Sequence, residues 1–373
     1  MPPILAFSGF SQSGKTTLLK GVVAILAQRG IRVGVVKHHG HGGRQGQVVK
    51  HHGHGGRQGQ GESLNPPGKD SRVLLEAGAA AVALTGPGQE AIFRPQPGDP
   101  GPMAAAAGLG RMDLVLAEGF KSWSGFKVEV IGPGAEPVLG GDPLLLAAAG
   151  PVQSRPALPP LRWFDRDEPE AVADFVTACF IPPDRLGPVP DREACFGLMA
   201  RLAMRPNILV HSLVVTEVAL WLAAALVRSG RDLDLPLVES GALLHDIAKT
   251  ECLGGKCDHV VRGHDILFSL GFPGLARVVS DHVDSKRART EQGLISPSVV
   301  VSYADKRVLH DEVVSLVRRA EDLLRRYGRT PEQARRIKEL ISYCSKMEGD
   351  LFKNIDLKPD DLDRVNHLFD PVE

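Results

Sequence analysis

Cysteine is scarce in this 373-residue sequence, and neither sign of charge is in excess. The five cysteines are too few and too widely spaced for a disulfide-stabilised scaffold, and their number and spread are typical of a reducing compartment. Lys and Arg total 44, and Asp and Glu also total 44, which excludes the broad basic surface that recruits nucleic acid. Composition therefore favours a cytoplasmic globular protein with no nucleic acid partner.

Long apolar runs are also missing. Runs such as LWLAAALV are too short to span a bilayer. The N-terminal MPPILAFSGF has no cationic residue before its apolar stretch, so we expect no signal peptide and no membrane association.

Glycine and proline are plentiful, at 41 and 28 residues, and they concentrate in two segments. The first, residues 86–103, reads as a surface loop inside a domain. The second, residues 181–191, reads as a linker, because the pattern beyond it is helical almost without interruption. Together with the length, this predicts a domain over 1–180 and a second domain over 192–373.

A thirteen-residue segment, VVKHHGHGGRQGQ, occurs twice in succession, at 35–47 and 48–60. The two copies together hold six histidines that offer metal ligands, but segments of Gly, His and Gln bury no core. The first copy completes a strand with its two valines, whereas no strand leads into the second. Lengthening a surface loop in this way costs only about 1 kcal/mol. We interpret the repeat as a duplicated loop with one idle copy, and a metal-binding device is the alternative.

Residues 9–16, GFSQSGKT, fit the G-x-x-x-x-G-K-[ST] phosphate loop between a short buried strand and a helix. The glycines let backbone amides surround phosphates, Lys15 supplies a charge to the outer phosphates, and Thr16 offers a hydroxyl to Mg²⁺. The candidate nucleotide-binding residues of this loop are Gly9, Ser11, Ser13, Gly14, Lys15, Thr16 and Thr17.

Two further strands place polar residues beside this loop. GIRVGVV is continuous and β-branched, as buried parallel strands are, and Lys37 and His38 emerge at its carboxyl end. In the strand DLVLAEG, Asp113 lies at the start and Glu118 at the carboxyl end, so we expect Glu118 near Mg²⁺ or its water. The alternative for Glu118 is a strand-end acid that caps a loop. No N-K-x-D guanine motif is present.

Five blocks in this order resemble the molybdopterin-guanine dinucleotide biosynthesis protein B family: FSGFSQSGKTTLL, RGIRVGVVKHH, PGKDSRVLLEAGA, DLVLAEGFK and DEPEAVADF. The resemblance covers about residues 4–180. It implies an α/β P-loop domain, with a mostly parallel sheet and flanking helices, that binds GTP and Mg²⁺. It also implies that this domain assists the nucleotidyltransferase attaching GMP to molybdopterin. By this resemblance Lys37 and His38 face the site, and Lys69, Asp70 and Arg72 belong to a motif after the loop. Asn65 stands where the family usually has an acid.

The second half contains histidines and carboxylates inside apolar helical segments: His211, His245, Asp246, His264, His282 and Asp305. Burying such groups is costly unless they are paired or bind metal. A single helical histidine is usually a core or surface residue, but an ordered series of this kind favours a metal site.

LLHDIAK and YADK resemble the HD-domain phosphohydrolases of the HDIG-type subgroup, over about residues 195–310. The resemblance implies an all-α bundle with two divalent ions such as Mn²⁺ or Fe²⁺. The first ion is assigned His211, His245, Asp246 and Asp305, and the second His264 and His282 with Asp246 as bridge. His245, Asp246 and Lys249 are the candidate catalytic residues, with Lys249 steadying a phosphate. A metal-free helical bundle is the alternative.

Two weaker patterns complete the second half. CLGGKCDH, with Cys252, Cys257 and His259, fits either a thiolate site or a loop between helices, and the loop is favoured. The tail from His310 is predicted helical, with Thr330 as the N-cap of a helix whose apolar stripe packs in the core.

These observations lead to one main hypothesis, a GTP-binding protein of molybdenum cofactor biosynthesis fused to a metal-dependent phosphohydrolase of small phosphoesters. The alternatives are a non-catalytic adaptor with a regulatory HD domain and a P-loop small-molecule kinase. A homodimer is expected.

Overall fold

The computed structural model describes residues 2–38, 82–86, 89–93, 105–109, 111–151, 161–255, 257–283 and 295–369. Most of the thirteen-residue repeat lies outside these residues, and so do Lys69, Asp70 and Arg72. The strands within the described ranges are β1 (Ile4–Ser8), β2 (Val33–Lys37), β3 (Val82–Gly86), β4 (Gln89–Phe93), β5 (Leu114–Glu118), β6 (Lys127–Val130), β7 (Leu145–Gly150), β8 (Trp163–Asp165), β9 (Val308–Leu309) and β10 (Glu312–Val313).

Six strands form one parallel sheet in the order β2-β5-β1-β6-β7-β8. Each residue of β1 and of β5 is buried, as expected for strands covered on both faces. Side chains alternate between the faces, so Leu5 and Phe7 join one core cluster while Ile4 and Ala6 join another. The parallel α/β sheet predicted for the first half is confirmed.

Two antiparallel hairpins accompany this sheet, β3 with β4 and β9 with β10. The first corrects the prediction that residues 86–103 are loop throughout, since β4 lies within them. Glycine and proline precede β4 and proline follows it, and such residues are typical of loops, which concealed this short strand.

The second half is mostly helical. The helices of the described residues are α1 (Lys15–Gln28), α2 (Pro169–Phe180), α3 (Arg192–Arg201), α4 (Pro206–Arg228), α5 (Leu235–Leu244), α6 (His259–Ser269), α7 (Pro273–Asp281), α8 (Pro297–Arg307), α9 (Leu316–Tyr327) and α10 (Pro331–Leu351), with 3₁₀ segments at Ala107–Leu109 and Pro359–Phe369. The N-cap of α10 is Thr330, which forms a capping box with Gln333 as predicted.

Helix α4 is the central element of the helical half. It is long and apolar enough to cross a membrane, although polar residues such as His211 and Thr216 interrupt its apolar runs. However, 78% of its most apolar stretch is buried inside the protein, against α5, α8 and β7. Its apolar surface is therefore used to build the core.

The segment 181–191 connects α2 to α3 without helix or strand, and it is held in place by Arg185. The guanidinium donates to both carboxylate oxygens of Asp234, each at 2.6 Å, and to the carbonyl of Phe180 at 2.7 Å. Asp234 is also the N-cap of α5. A bidentate pair of this kind fixes orientation as well as distance, so the connection is anchored at the helical half.

The two halves share one continuous core, and Arg228 joins them at the end of α4. Its Nη1 donates to the carbonyls of Pro143 and Leu145 at 3.0 and 2.6 Å, beside β7. Its Nε and Nη2 bind Asp356, beyond α10, at 3.0 Å each. One buried guanidinium thus ties the sheet, the central helix and the C-terminal segment together.

Arg228→Ala is expected to lower the free energy of unfolding by about 2–4 kcal/mol, because it leaves buried carbonyls and a partly buried carboxylate without a donor. Urea denaturation of the full chain measures this change. Arg231→Ala, at an exposed position just beyond the same helix, is the matched control and should change stability little. Equal losses in the two variants would contradict this role.

Candidate phosphate loop and candidate metal centre

The loop between β1 and α1 has the backbone conformation that its glycines permit. Gly9 and Gly14 have φ values of 148° and 93°, in the region that favours glycine. A Cβ on Gly9 would lie 2.1 Å from the carbonyl oxygen of Val130, so no larger residue fits there. Gly14 is the N-cap of α1, and no side chain caps the first helical amides. Those amides are therefore available to an anion.

Lys15 currently binds the loop itself. Its Nζ donates to the carbonyls of Gly9 and Phe10 at 3.3 and 2.5 Å, and lies 3.4 Å from the hydroxyl of Ser13. Burial lowers the pKa of Lys15, while the charge of Glu118 opposes that shift. The ammonium group is thus held within the loop where a phosphate chain would meet it.

Three of the predicted residues meet at the carboxyl ends of β2 and β5. The hydroxyl of Thr16 donates to Oε1 of Glu118 at 2.7 Å, and Nζ of Lys37 lies 3.2 Å from the same oxygen. The parallel register places Lys37 opposite Glu118, which explains their approach. Asp113 lies at the other end of β5 and pairs with Arg32 at 2.7 Å. The structure thus separates the two acids as the strand direction requires.

The other predicted residues of this site differ in their exposure and contacts. Ser13 is buried, whereas Ser11 and Thr17 are exposed. His38 follows β2, and its ring is tilted against that of Phe120, with 5.1 Å between centroids.

One residue that the sequence did not single out also touches the loop. Arg166 lies between β8 and α2, and its Nη1 donates to the carbonyl of Ser13 at 3.3 Å. The available signal was an arginine in the turn that leads from β8, the edge strand of the parallel sheet, to α2.

The helical half gathers a first group of metal-ligand side chains from α4, α8 and the residue after α5. Nε2 of His211 lies 3.2 Å from Oδ1 of Asp305, and Nε2 of His245 lies 3.7 Å from it. The three ligand atoms lie within 4.8 Å of one another, and all three residues are buried. Nitrogen and oxygen ligands at this spacing suit a divalent transition metal.

A second group comprises Asp246, His259 and His282, whose ligand atoms also lie within 4.8 Å of one another. Oδ1 of Asp246 is 3.5 Å from Nε2 of His259 and 3.9 Å from Nε2 of His282. Its Oδ2 faces the first group, 3.4 Å from Nε2 of His245 and 4.0 Å from Nε2 of His211. The Asp246 carboxylate therefore lies between the two groups.

His264 is not part of either group, which corrects the sequence assignment. Its side chain is exposed, its Nδ1 lies 3.1 Å from its neighbour Asp265, and its ring stacks on Phe268. His259 is the first residue of α6. Side chains five positions apart on a helix point about 140° away from each other, so His264 points away from His259. His259 takes the place assigned to His264.

The buried histidines are oriented by the backbone. His211, His245 and His282 each place Nδ1 against a carbonyl, which only accepts, so Nδ1 carries the proton and Nε2 presents its lone pair. The acceptors are the carbonyls of His310, Ala242 and Val279, at 2.8, 2.8 and 2.6 Å. Such support is typical of metal-ligating histidine.

Nε2 of His245 is fully buried and forms no hydrogen bond within the part of the chain that the structure describes. An unpartnered lone pair in a buried site is unfavourable. It faces two carboxylates that provide negative charge, so a divalent cation would satisfy it. The donor set therefore fits a metal ion.

Electrostatics keep the carboxylates ionised. Burial by itself would raise the pKa of Asp246, but contact with the His245 imidazole and the charge of Lys249 outweigh burial and hold it below its usual range. Burial likewise opposes ionisation of Asp305, yet Lys306 holds its pKa well below the usual value. Nζ of Lys249 and Nζ of Lys306 each lie 2.5 Å from an Oδ2 of these carboxylates.

His282 has the opposite balance. Burial lowers its pKa to about 3, so its imidazole is neutral near pH 7. A neutral imidazole is the form that binds a metal.

Cys252 and Cys257 form a disulfide, contrary to the reduced thiols expected from composition. Neither sulfur is then a thiolate ligand, and the preferred reading as a connecting loop stands. The bridge closes the segment between the His245-Asp246 turn and His259. Cys179, Cys195 and Cys344 are buried and outside this disulfide.

Comparisons with known proteins match the first half. The family model described as "Molybdopterin guanine dinucleotide synthesis protein B" matches residues 4–47 and 43–149. The two matched segments overlap inside the first copy of the thirteen-residue repeat, so the duplication splits the match.

Two curated relatives carry the description "Molybdopterin-guanine dinucleotide biosynthesis adapter protein". The one from Escherichia coli is 32% identical over 185 residues, covering 47% of this chain and 92% of that protein. The one from Haemophilus influenzae is 35% identical over 121 residues, covering 32% of this chain and 57% of that protein. The crystal structure of Bacillus subtilis MobB aligns with a TM-score of 0.34 at 25% identity, covering 47% of this chain and 96% of that one.

Proposed function

Because this chain belongs to the molybdopterin guanine dinucleotide synthesis protein B family, we propose that its first half binds GTP with Mg²⁺ on the loop between β1 and α1. The contact of Thr16 with Glu118 at 2.7 Å is the observation that carries this proposal. A hydroxyl and a carboxylate at the mouth of a phosphate loop are the oxygen ligands that Mg²⁺ or its water prefers. Titration of the full chain with GTP, with and without Mg²⁺, tests it.

We further propose that this half acts as an adapter in molybdopterin guanine dinucleotide biosynthesis, as the names of its relatives state for those proteins. The partner would be the molybdopterin nucleotidyltransferase. Pull-down of that enzyme by the full chain, with GTP present or omitted, tests the contact. Nucleotide hydrolysis by this half is expected to be weak.

We propose that the helical half is a metal-dependent phosphohydrolase similar to the HD-domain enzymes. The unpartnered, fully buried Nε2 of His245, facing two carboxylates, supports this most directly. His211, His245, Asp246 and Asp305 would hold the first ion. Asp246, His259 and His282 would hold the second.

Bound metal would supply an acidic water and neutralise charge on a phosphoryl group. The chain's own residues prepare the site in three ways. Backbone carbonyls fix the histidine rings, buried walls exclude bulk water, and Asp246 and Asp305 keep their negative charge. Lys249 is partly exposed beside Asp246 and would contact an anionic phosphoester. Phosphoester hydrolysis by the full chain with Mn²⁺ tests this function.

We propose the domain limits predicted above, 1–180 and 192–373 with the connection at 181–191. The shared core and the Arg228 contacts support testing function in the full chain. The homodimer, the cytoplasmic location and the phosphoester substrate stay predictions.

Reduction of the Cys252–Cys257 disulfide is expected to lower the affinity for the second metal ion about 10-fold and to leave the affinity for the first ion unchanged. The bridge restrains the segment that carries His259, and loss of ligand support typically costs about 10–100-fold in metal affinity. Mn²⁺ titration before and after a dithiol reductant measures both affinities. Cys257→Ser, which has no bridge to reduce, is the control and should not respond to the reductant. A reduced wild type with two unchanged affinities would contradict the role of the bridge.

A further inference from the structure

Arg166 occupies the rim of the phosphate loop although it lies far from it in sequence. It sits in the turn between β8 and α2, and its Nη1 donates to the carbonyl of Ser13 at 3.3 Å. Its side chain is largely buried, with 19% exposed. The carboxyl ends of β1 and β8 lie on the same edge of the parallel sheet, which brings the turn to the loop.

The guanidinium lies directly over Gly14. A Cβ placed on Gly14 would come within 2.8 Å of Cδ of Arg166, and within 3.2 Å of both its Nε and Nη1. Gly14 is the N-cap of α1, whose first amides no side chain caps. The positive end of the helix and a permanent cation therefore converge on one place, and Lys15 adds a second cation within the loop.

The ion pairing of Arg166 differs from that of the structural arginines. Arg185 and Arg228 hold buried or partly buried carboxylates at 2.6 and 3.0 Å. Among the residues that the structure describes, the carboxylate that pairs with Arg166 is that of its neighbour Asp167, an exposed side chain at 3.4 Å. Such a weak contact leaves most of the guanidinium charge uncompensated, next to a site built for anions.

We propose that Arg166 is a nucleotide-binding residue that contacts the phosphate chain in cis, which rests on the proposed binding of GTP. A guanidinium has five N–H donors in a planar fork. One donor retains the carbonyl of Ser13 while others reach phosphate oxygens bound at the start of α1. Lys15 then holds the phosphates from within the loop, and Arg166 holds them from its rim.

The test compares Arg166→Ala and Arg166→Lys with wild type by calorimetric titration of the full chain with GTP, GDP and guanosine. Arg166→Ala is expected to lower the affinity for GTP and GDP about 10-fold. Arg166→Lys is expected to lower it by less, because lysine keeps the charge without the planar fork of donors. Any guanosine affinity should not change, because guanosine has no phosphate. The salt dependence of GTP binding should also become less steep in Arg166→Ala, which a purely structural residue would not cause.

Arg32→Ala is the matched control, since this exposed arginine pairs with Asp113 at the opposite edge of the sheet. GTP affinity in Arg166→Ala within twofold of wild type, while Lys15→Ala loses affinity, would overturn the role of Arg166 and leave the phosphate loop intact. Equal loss of guanosine and GTP affinity would show a structural role and overturn it too. A wild type that binds no GTP would overturn both proposals.

Discussion

Asp246→Ala is expected to remove both metal ions and all phosphohydrolase activity. The Asp246 carboxylate faces His245 with one oxygen and His259 and His282 with the other, at 3.4–3.9 Å. Each proposed ion therefore loses a charged ligand through one substitution. We expect affinity for both ions to fall by more than about 100-fold, beyond the 10–100-fold typical of lost ligand support. Elemental analysis after Mn²⁺ loading measures the ion content.

Two variants make this result specific to the bridge. His259→Ala removes a ligand from the second group alone, so it should retain about one ion per chain. His264→Ala should retain both ions, because its exposed side chain lies outside both groups. Thermal unfolding without metal shows whether each variant is folded. Two ions bound to a folded Asp246→Ala chain would contradict the bridging role.

Site residues that lie close together in sequence were predictable because the groups that act together all occur within one short segment. The phosphate loop needs glycines, a lysine and a hydroxyl within eight residues, and the strand before it sets their position. Glu118 was predictable for a related reason. A parallel strand has a direction, so the acid at its carboxyl end reaches the loop and Asp113 at its start does not.

The second group of candidate metal ligands shows where a sequence pattern is insufficient. Assigning His264 required knowing which face of its helix turns inward, and that depends on where the helix begins. α6 begins at His259, after Asp258 caps its first amides. Since the histidines at 259 and 264 point about 140° apart, only one of them faces Asp246, and the sequence alone did not identify which.

Contacts distant in sequence were not predictable from local patterns. Arg166 approaches Ser13 only because β8 lies three strands from β1 in the same parallel sheet. Arg228 joins Leu145 to Asp356 by the same kind of long-range packing. Periodicity indicates which face of an element is buried, but it does not indicate its neighbour.

Lys15→Ala is expected to weaken GTP binding roughly 10- to 150-fold, because it removes a charge-assisted contact worth about 1.5–3 kcal/mol. The free energy of unfolding in the absence of nucleotide should change little. Among the described residues, Lys15 donates to carbonyls and a hydroxyl of its own loop, and water can replace that donor at the partly exposed site. The variant therefore separates nucleotide binding from folding. Lys20→Ala, on the exposed side of the same helix, is the control and should bind GTP as wild type does.

Thermal stabilisation by GTP provides an independent measurement of the lower GTP affinity of Lys15→Ala. At a GTP concentration about 100 times the wild-type Kd, binding stabilises the wild type by about 2.7 kcal/mol. If Kd rises about 100-fold, the same concentration stabilises Lys15→Ala by only about 0.4 kcal/mol, since the site is then half saturated. Equal GTP-induced shifts in Tm for wild type and Lys15→Ala would contradict the assignment of this loop, because the ammonium at its centre would then make no contact with the phosphates.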